Sequence, residues 1–168
     1  MTPPDGTYKL DPSNASLRVM TTRQGVAAKV GHDLVMEVGS WDASLTLAGG
    51  EPSCELTADS KSLNIIEGTG GAKPLSDGDR KKIGKNIDND ILGGKPIHFR
   101  STGAGTGELE MGGTTNPASV DLTISDDGAI SGRARLKQTD WGIKPYSGFM
   151  GALKVADEVE IAVEGHLP

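Results

Sequence analysis

The sequence predicts an all-β protein, an extended antiparallel barrel of about eight or more strands with one α-helix near residues 76–92. Three observations predict it. Apolar and polar residues alternate with period two along most of the chain. Glycine, at 24 of 168 residues, is roughly twice its usual share and falls between the alternating segments, as a chain of many turns requires. One stretch alone carries apolar residues at helical spacing.

The alternation runs through Tyr8/Leu10, Leu17/Val19, Leu34/Met36/Val38, Trp41/Ala43/Leu45/Leu47, Cys54/Leu56/Ala58 and Leu63/Ile65. It resumes at Ile97/Phe99, Leu109/Met111, Val120/Leu122/Ile124, Ala134/Leu136, Leu153/Val155 and Val159/Ile161/Val163. Successive side chains of a strand face opposite ways, so each segment offers one apolar and one polar face. That is the pattern of an antiparallel sheet with one face buried; parallel sheets covered on both sides read as continuous apolar runs. Turn chemistry separates the segments at Asp11-Pro12-Ser13-Asn14, Ala48-Gly49-Gly50, Gly112-Gly113 and Asp126-Asp127-Gly128. Asp127-Gly128 between Ile124 and Ile130 is the strongest local hairpin signal.

From Ser76 to Leu92 the period changes. Ile83, Ile87 and Ile91 are spaced by four and share one stripe of a helix. Ser76 is placed to cap it, Asp77 and Asp79 lie where the helix dipole favours negative charge, and Gly93-Gly94 closes the far end. Lys81, Lys82 and Lys85 are expected to face water. The segment Glu67–Pro74 before it has no apolar anchor and reads as a mobile loop. No domain boundary is evident, so a single domain over 1–168 is expected. A closed or nearly closed barrel would leave few exposed strand edges.

The charge balance, 17 Lys+Arg against 23 Asp+Glu for a net −6, argues against sequence-blind nucleic-acid binding and against docking on an anionic membrane. No apolar run approaches the roughly 20 residues of a membrane-spanning helix, and the first residues lack a basic head and apolar stretch. A soluble, cytoplasmic protein without stable membrane insertion is expected. Cys54, the one cysteine, leaves no internal disulfide.

Catalytic motifs are scarce: no Gly-x-Ser-x-Gly elbow, no phosphate-cradling loop ending Gly-Lys-Ser/Thr, no His-Glu-x-x-His. Gly103-Ala104-Gly105-Thr106-Gly107 resembles a dinucleotide fingerprint, but Glu108 replaces the last glycine and a strand follows, so it reads as a loop. His32, His98 and His166 are far apart in sequence, and no metal or cofactor is expected. His32-Asp33 could act as an acid/base pair only if the backbone turns at Gly31, since neighbours in a strand face apart; otherwise His32 is a structural residue at a strand entry. Capping accounts for Asp77 and Asp79 without chemistry. Cys54, on an apolar face, reads as a small hydrophobe.

The densest cluster runs from Lys137 to Met150, where Trp141, Tyr146 and Phe149 are interrupted by Gly142, Pro145 and Gly148. It serves either as a core plug or as an apolar wall of a ligand pocket.

Several segments together resemble the YceI-like family. These are Tyr8-Lys9-Leu10-Asp11 with Ser16, the helix followed by Pro96-Ile97-His98-Phe99-Arg100-Ser101, the run Gly107 to Pro117 (Gly-x-Leu-x-Met-x-Gly-x-Thr-x-Pro), Thr139-Asp140-Trp141-Gly142-Ile143, and Val159-x-Ile161. The resemblance implies a lipocalin-like barrel with an apolar tunnel that binds a polyisoprenoid or similar long amphiphile, an isoprenoid or fatty-acid-like partner, with no catalytic residues. The first residues do not read as the secretion signal that many relatives carry, so a periplasmic role is not expected, and the segment Val30-Gly31-His32-Asp33-Leu34 departs from the commonest family pattern. The alternatives are an interaction or stress-response module with a filled core, and a hydrolase or isomerase built on His32 with Asp33 or Asp79. The tunnel is expected to be lined by Met20, Leu34, Met36, Ile87, Ile91, Phe99, Trp141, Tyr146, Phe149 and Met150. Arg80, Lys144 and His32 are the candidates for holding the ligand's polar head. The sequence leaves a homodimer open.

Overall fold

The computed structural model describes residues 3–24, 33–69, 76–87, 92–103, 105–145, 147–148 and 153–168. Along the chain run β1 (Gly6–Leu10), β2 (Ala15–Thr21), β3 (Arg23–Gln24), β4 (Asp33–Val38), β5 (Trp41–Ala48), β6 (Glu51–Ala58) and β7 (Leu63–Thr69). After α1 (Asp77–Asn86) follow β8 (Ile97–Gly103), β9 (Thr106–Met111), β10 (Thr114–Ser119), β11 (Asp121–Ile124), β12 (Ala129–Lys137), β13 (Ser147–Gly148), β14 (Leu153–Val155) and β15 (Glu158–His166).

Six strands form one antiparallel sheet in the order β1-β5-β6-β8-β9-β10, and six form a second in the order β11-β12-β15-β2-β4-β7. A three-stranded ribbon, β13-β14-β3, stands beside them. The two large sheets pack face to face, with Leu45 of the first and Leu17 and Ile130 of the second in one core cluster. The expected closed or nearly closed barrel is realised in the nearly closed, flattened form: among the described residues no backbone ladder joins the two large sheets. The chain instead crosses between them at corners, at Asp11–Asn14, Gly39–Ser40, Asp59–Ser62 and Val120.

The hairpins form where the turn residues place them. β5 and β6 pair Ala48 with Glu51 across Gly49-Gly50, and β9 and β10 pair Met111 with Thr114 across Gly112-Gly113. Both glycines of each turn have positive φ, the two-residue geometry that matches strand twist and excludes most side chains. β11 pairs with β12 across Asp127-Gly128, with Ile124 opposite Ile130.

Ser76 caps α1 as expected, in a reciprocal box: its hydroxyl accepts from the Asp79 N–H at 3.1 Å and its own N–H donates to Asp79 at 3.1 Å. The α-helical part runs to Asn86 with Ile87 as its C-cap, and the Leu92 N–H donates to the Ile87 carbonyl at 2.8 Å; residues 88–91 of the expected helix lie outside the described residues. Glu67, Gly68 and Thr69, expected in a loop, belong to β7, where Glu67 pairs with Val35. Arg80 reaches from α1 to β7 and donates to the Ile65 carbonyl at 3.2 Å, using an acceptor on a sheet edge that has no strand beyond it. No helix among the described residues is long and apolar enough to cross a membrane.

Candidate cavity between the sheets

The inner face of the first sheet is built in rows. Ala43, Leu56, Phe99 and Leu109 lie side by side across β5, β6, β8 and β9. The next row holds Leu45, Cys54, Ser101 and Gly107, with the Cys54 N–H donating to Ser101 Oγ at 2.8 Å. Across the second sheet, Ala134, Ile161, Val19 and Met36 form one row, and Leu122, Gly132, Val163 and Leu17 another. These are the period-2 apolar positions of the sequence.

They meet only in part: Leu17 and Ile130 of the second sheet pack with Ala43 and Leu45 of the first. Beside that contact the same rows bound a cavity of about 730 Å³, within the range of about 300–1,000 Å³ typical of small-molecule sites. Its walls are overwhelmingly aliphatic. Leu34, Cys54, Leu56, Phe99, Ile161 and Val163 bound it and are only half-buried, although all but Leu34 also pack against one of two core clusters. By contrast Leu45, Ala43 and Ala58, in the same sheet, are 1–2% exposed. The contrast separates a packed zone from a hollow one inside a single barrel.

Two glycines shape the hollow. Phe99 lies flat over Gly107: a Cβ there would stand 2.4 Å from the ring and 2.6 Å from the Arg100 carbonyl. Gly132 on β12 also borders the cavity, in a position where a Cβ would touch Leu122 at 3.6 Å and Val163 at 3.7 Å. One end is stopped by the turn Gln138–Trp141, which the Asp157 carboxylate anchors through the Thr139 N–H at 2.8 Å and hydroxyl at 2.6 Å. These two donors, the hydroxyl first, hold the Asp157 carboxyl below its usual range. Desolvation pushes the Cys54 thiol up to about 11, with the neighbouring Glu55 charge adding to it.

Of the residues expected to line a tunnel, Leu34, Met36, Ile87 and Phe99 bound this cavity. Met20 does not. Leu17, Val19 and Thr21 take the inward positions of β2, so alternation turns Met20 outward, opposite Val35 and Glu160 in a shallow outer groove. Trp141 is 3% exposed and packs with Leu92, Leu109, Leu136 and Val159, its Nε1 donating to the Leu109 carbonyl at 2.8 Å. It is the core plug of the two readings of that cluster; Ile143, two residues on, reaches the cavity in its place. Among the head-group candidates, Arg80 is tied to Ile65 and Lys144 is exposed away from the cavity. Ile91, His32, Tyr146, Phe149 and Met150 lie outside the described residues.

The acid/base alternative finds its carboxylates engaged structurally: Asp33 accepts from the Arg23 N–H at 2.9 Å, and Asp79 belongs to the capping box. His98 sits on the outer face against Glu55 at 3.0 Å, and His166 closes β15 beside the Leu167 carbonyl. No metal-binding cluster occurs among the described residues. Sequence reasoning missed Arg23, Lys82 and Ser101 on the boundary. The signal for Arg23 was available, since Leu17, Val19 and Thr21 continue in steps of two to Arg23.

A family model described as YceI-like domain matches residues 8–167. The crystal structure of BcnA from Burkholderia cenocepacia superposes with a TM-score of 0.64, covering 92% of this chain and 97% of that one at 15% identity. At that identity the likeness speaks for the fold alone. No curated protein matches the chain.

Proposed function

The chain belongs to the YceI-like family, and on that premise we propose that it binds a polyisoprenoid or other long-chain amphipathic lipid between its sheets, for carriage, storage or sequestration, without catalysis. The observation that carries this reading is the ring of inward-facing, half-exposed apolar side chains around a cavity of about 730 Å³. A chain that buries about 500 Å² of apolar surface there gains roughly 12 kcal/mol at about 25 cal/mol/Å². Lost translational and rotational freedom costs at least about 4 kcal/mol, so the surplus supports useful affinity. An aliphatic wall reads the width and length of a tail rather than its hydrogen bonds, so several tails should be accepted. The same hollow counts against a filled-core interaction module. Extraction of the purified protein with organic solvent, followed by mass spectrometry, should release a long-chain amphiphile. Empty protein that also takes up neither prenyl nor acyl chains would overturn the reading.

A further inference from the structure

Every charged residue on the cavity boundary, among the described residues, is a cation: Arg23, Lys82 and Arg133. The chain carries 23 acidic against 17 basic residues, so three cations and no carboxylate among the described residues of the boundary run against composition, although the Asp33 carboxylate stands close behind Arg23. Arg133 belongs to the outside. It is exposed on β12 between the inward-facing Gly132 and Ala134, and its Nη2 donates to Glu164 at 2.7 Å.

Arg23 and Lys82 are placed differently. They come from separate elements, the ribbon strand β3 and the helix α1, and both border the cavity while keeping contact with solvent. That is the position of groups at a mouth, not in a wall. The Asp33 carboxylate accepts from the Arg23 backbone N–H at 2.9 Å and lies 3.9 Å from Nε, so it meets part of the Arg23 charge while Lys82 comes from a separate element. A tail drawn into the aliphatic zone brings its head to this rim and strips part of its water. For an anion that loss is costly unless cations replace the water, and charge-assisted hydrogen bonds from Arg and Lys are the stronger kind. A neutral head gains much less from the same rim.

Resting on the lipid-binding reading, we propose that the ligand's head is anionic, a carboxylate or a phosphate, received at the rim by Arg23 and Lys82. The test compares pairs that share a tail and differ in head charge: oleate with oleyl alcohol, and farnesyl phosphate with farnesol. Each displaces the neutral dye Nile red from the protein at concentrations below micelle formation. The anion of each pair should act at roughly tenfold lower concentration than its alcohol. Added salt should narrow the gap, and so should Lys82→Gln, an exposed change whose fold is checked by circular dichroism. A gap in one pair only identifies the head as carboxylate or phosphate. Equal potency within both pairs, or a gap that Lys82→Gln leaves untouched, overturns the anionic head while lipid binding stands. Failure of all four compounds to displace the dye would instead overturn the lipid-binding reading itself.

Discussion

Ala134→Phe tests whether the barrel is hollow, because a hollow and a filled interior answer it with opposite signs. Ala134 is half-buried on β12 opposite Ile161, between the inward-facing Gly132 and Leu136, on the boundary of the cavity. Fully burying a phenylalanine gains about 1.5–3 kcal/mol; a ring covered on one side by the wall keeps about half of that. Ordering the side chain costs roughly 0.5–1 kcal/mol. The net is a change from about zero to 1 kcal/mol in favour of the fold. In a packed core the same ring forces neighbours off their rotamers and costs about 1–3 kcal/mol. For a chain of this size 1 kcal/mol moves Tm by about 2–4 °C, so thermal unfolding should show no change or a rise of up to about 4 °C. The ring also takes space from a ligand: about 50 Å² of lost tail burial weakens binding roughly tenfold. A fall in Tm of several degrees, with tail binding unaltered, would refute the hollow interior.

Gly107→Ala should destabilise the fold by about 1–3 kcal/mol, because its methyl group collides with Phe99 and with the Arg100 carbonyl; Phe99→Leu in the same chain should restore only part of the loss in a denaturant titration, since the backbone clash remains. The Cys54 thiol, pushed up to about 11, should be alkylated slowly at neutral pH, about tenfold faster per pH unit below that value, and more slowly again once a tail fills the cavity; a rate blind to both pH and ligand would contradict its placement. The Asp157 carboxyl sits below its usual 3.8 in the folded chain, so its stabilising contribution is present above that pH and disappears as the pH falls through the folded value. Thr139→Val removes the hydroxyl donor but keeps the backbone N–H, and an NMR titration should show the Asp157 pKa rising toward 3.8.

Strand positions were legible because period two is a local property: Leu17/Val19, Ala43/Leu45 and Ile161/Val163 face inward as the alternation requires. Turns were legible for the same reason, since paired glycines and Asp-Gly fix their own geometry. The hollow was less so, because a row of leucines looks alike whether or not another row touches it; the resemblance to YceI-like proteins pointed to it most directly. The rim failed in a more instructive way. Arg80 and Lys144 were singled out by proximity to the helix and to the aromatic cluster, whereas the faces on which they emerge depend on which strand each packs against. Met20 faces outward because Leu17, Val19 and Thr21 take the inward parity of its strand, opposite Glu160 and Val35. Trp141 plugs the end because the Asp157 anchor, sixteen residues further on, sets where its turn sits.

A barrel that leaves Phe99, Leu56 and Leu34 half-exposed inside forgoes burial that a collapsed core would have kept. Its stability is concentrated in two packed clusters that share its walls, one around Leu45, Ala43 and Trp41 and one around Trp141, Leu109 and Leu136. These zones are continuous with the same strands, so the walls between them cannot close without breaking the registers that build both. The vacated burial then returns only when a tail enters, which couples binding to folding. A ligand present at 100 times its Kd should add about 2.7 kcal/mol, a rise of about 5–11 °C for a chain of this size. Differential scanning fluorimetry over a series of oleate or farnesyl phosphate concentrations should therefore show Tm climbing with the logarithm of concentration. A Tm that stays flat while the same ligand demonstrably displaces Nile red would mean that the tail binds outside the sheets, and the coupling argued from the half-exposed walls would be wrong.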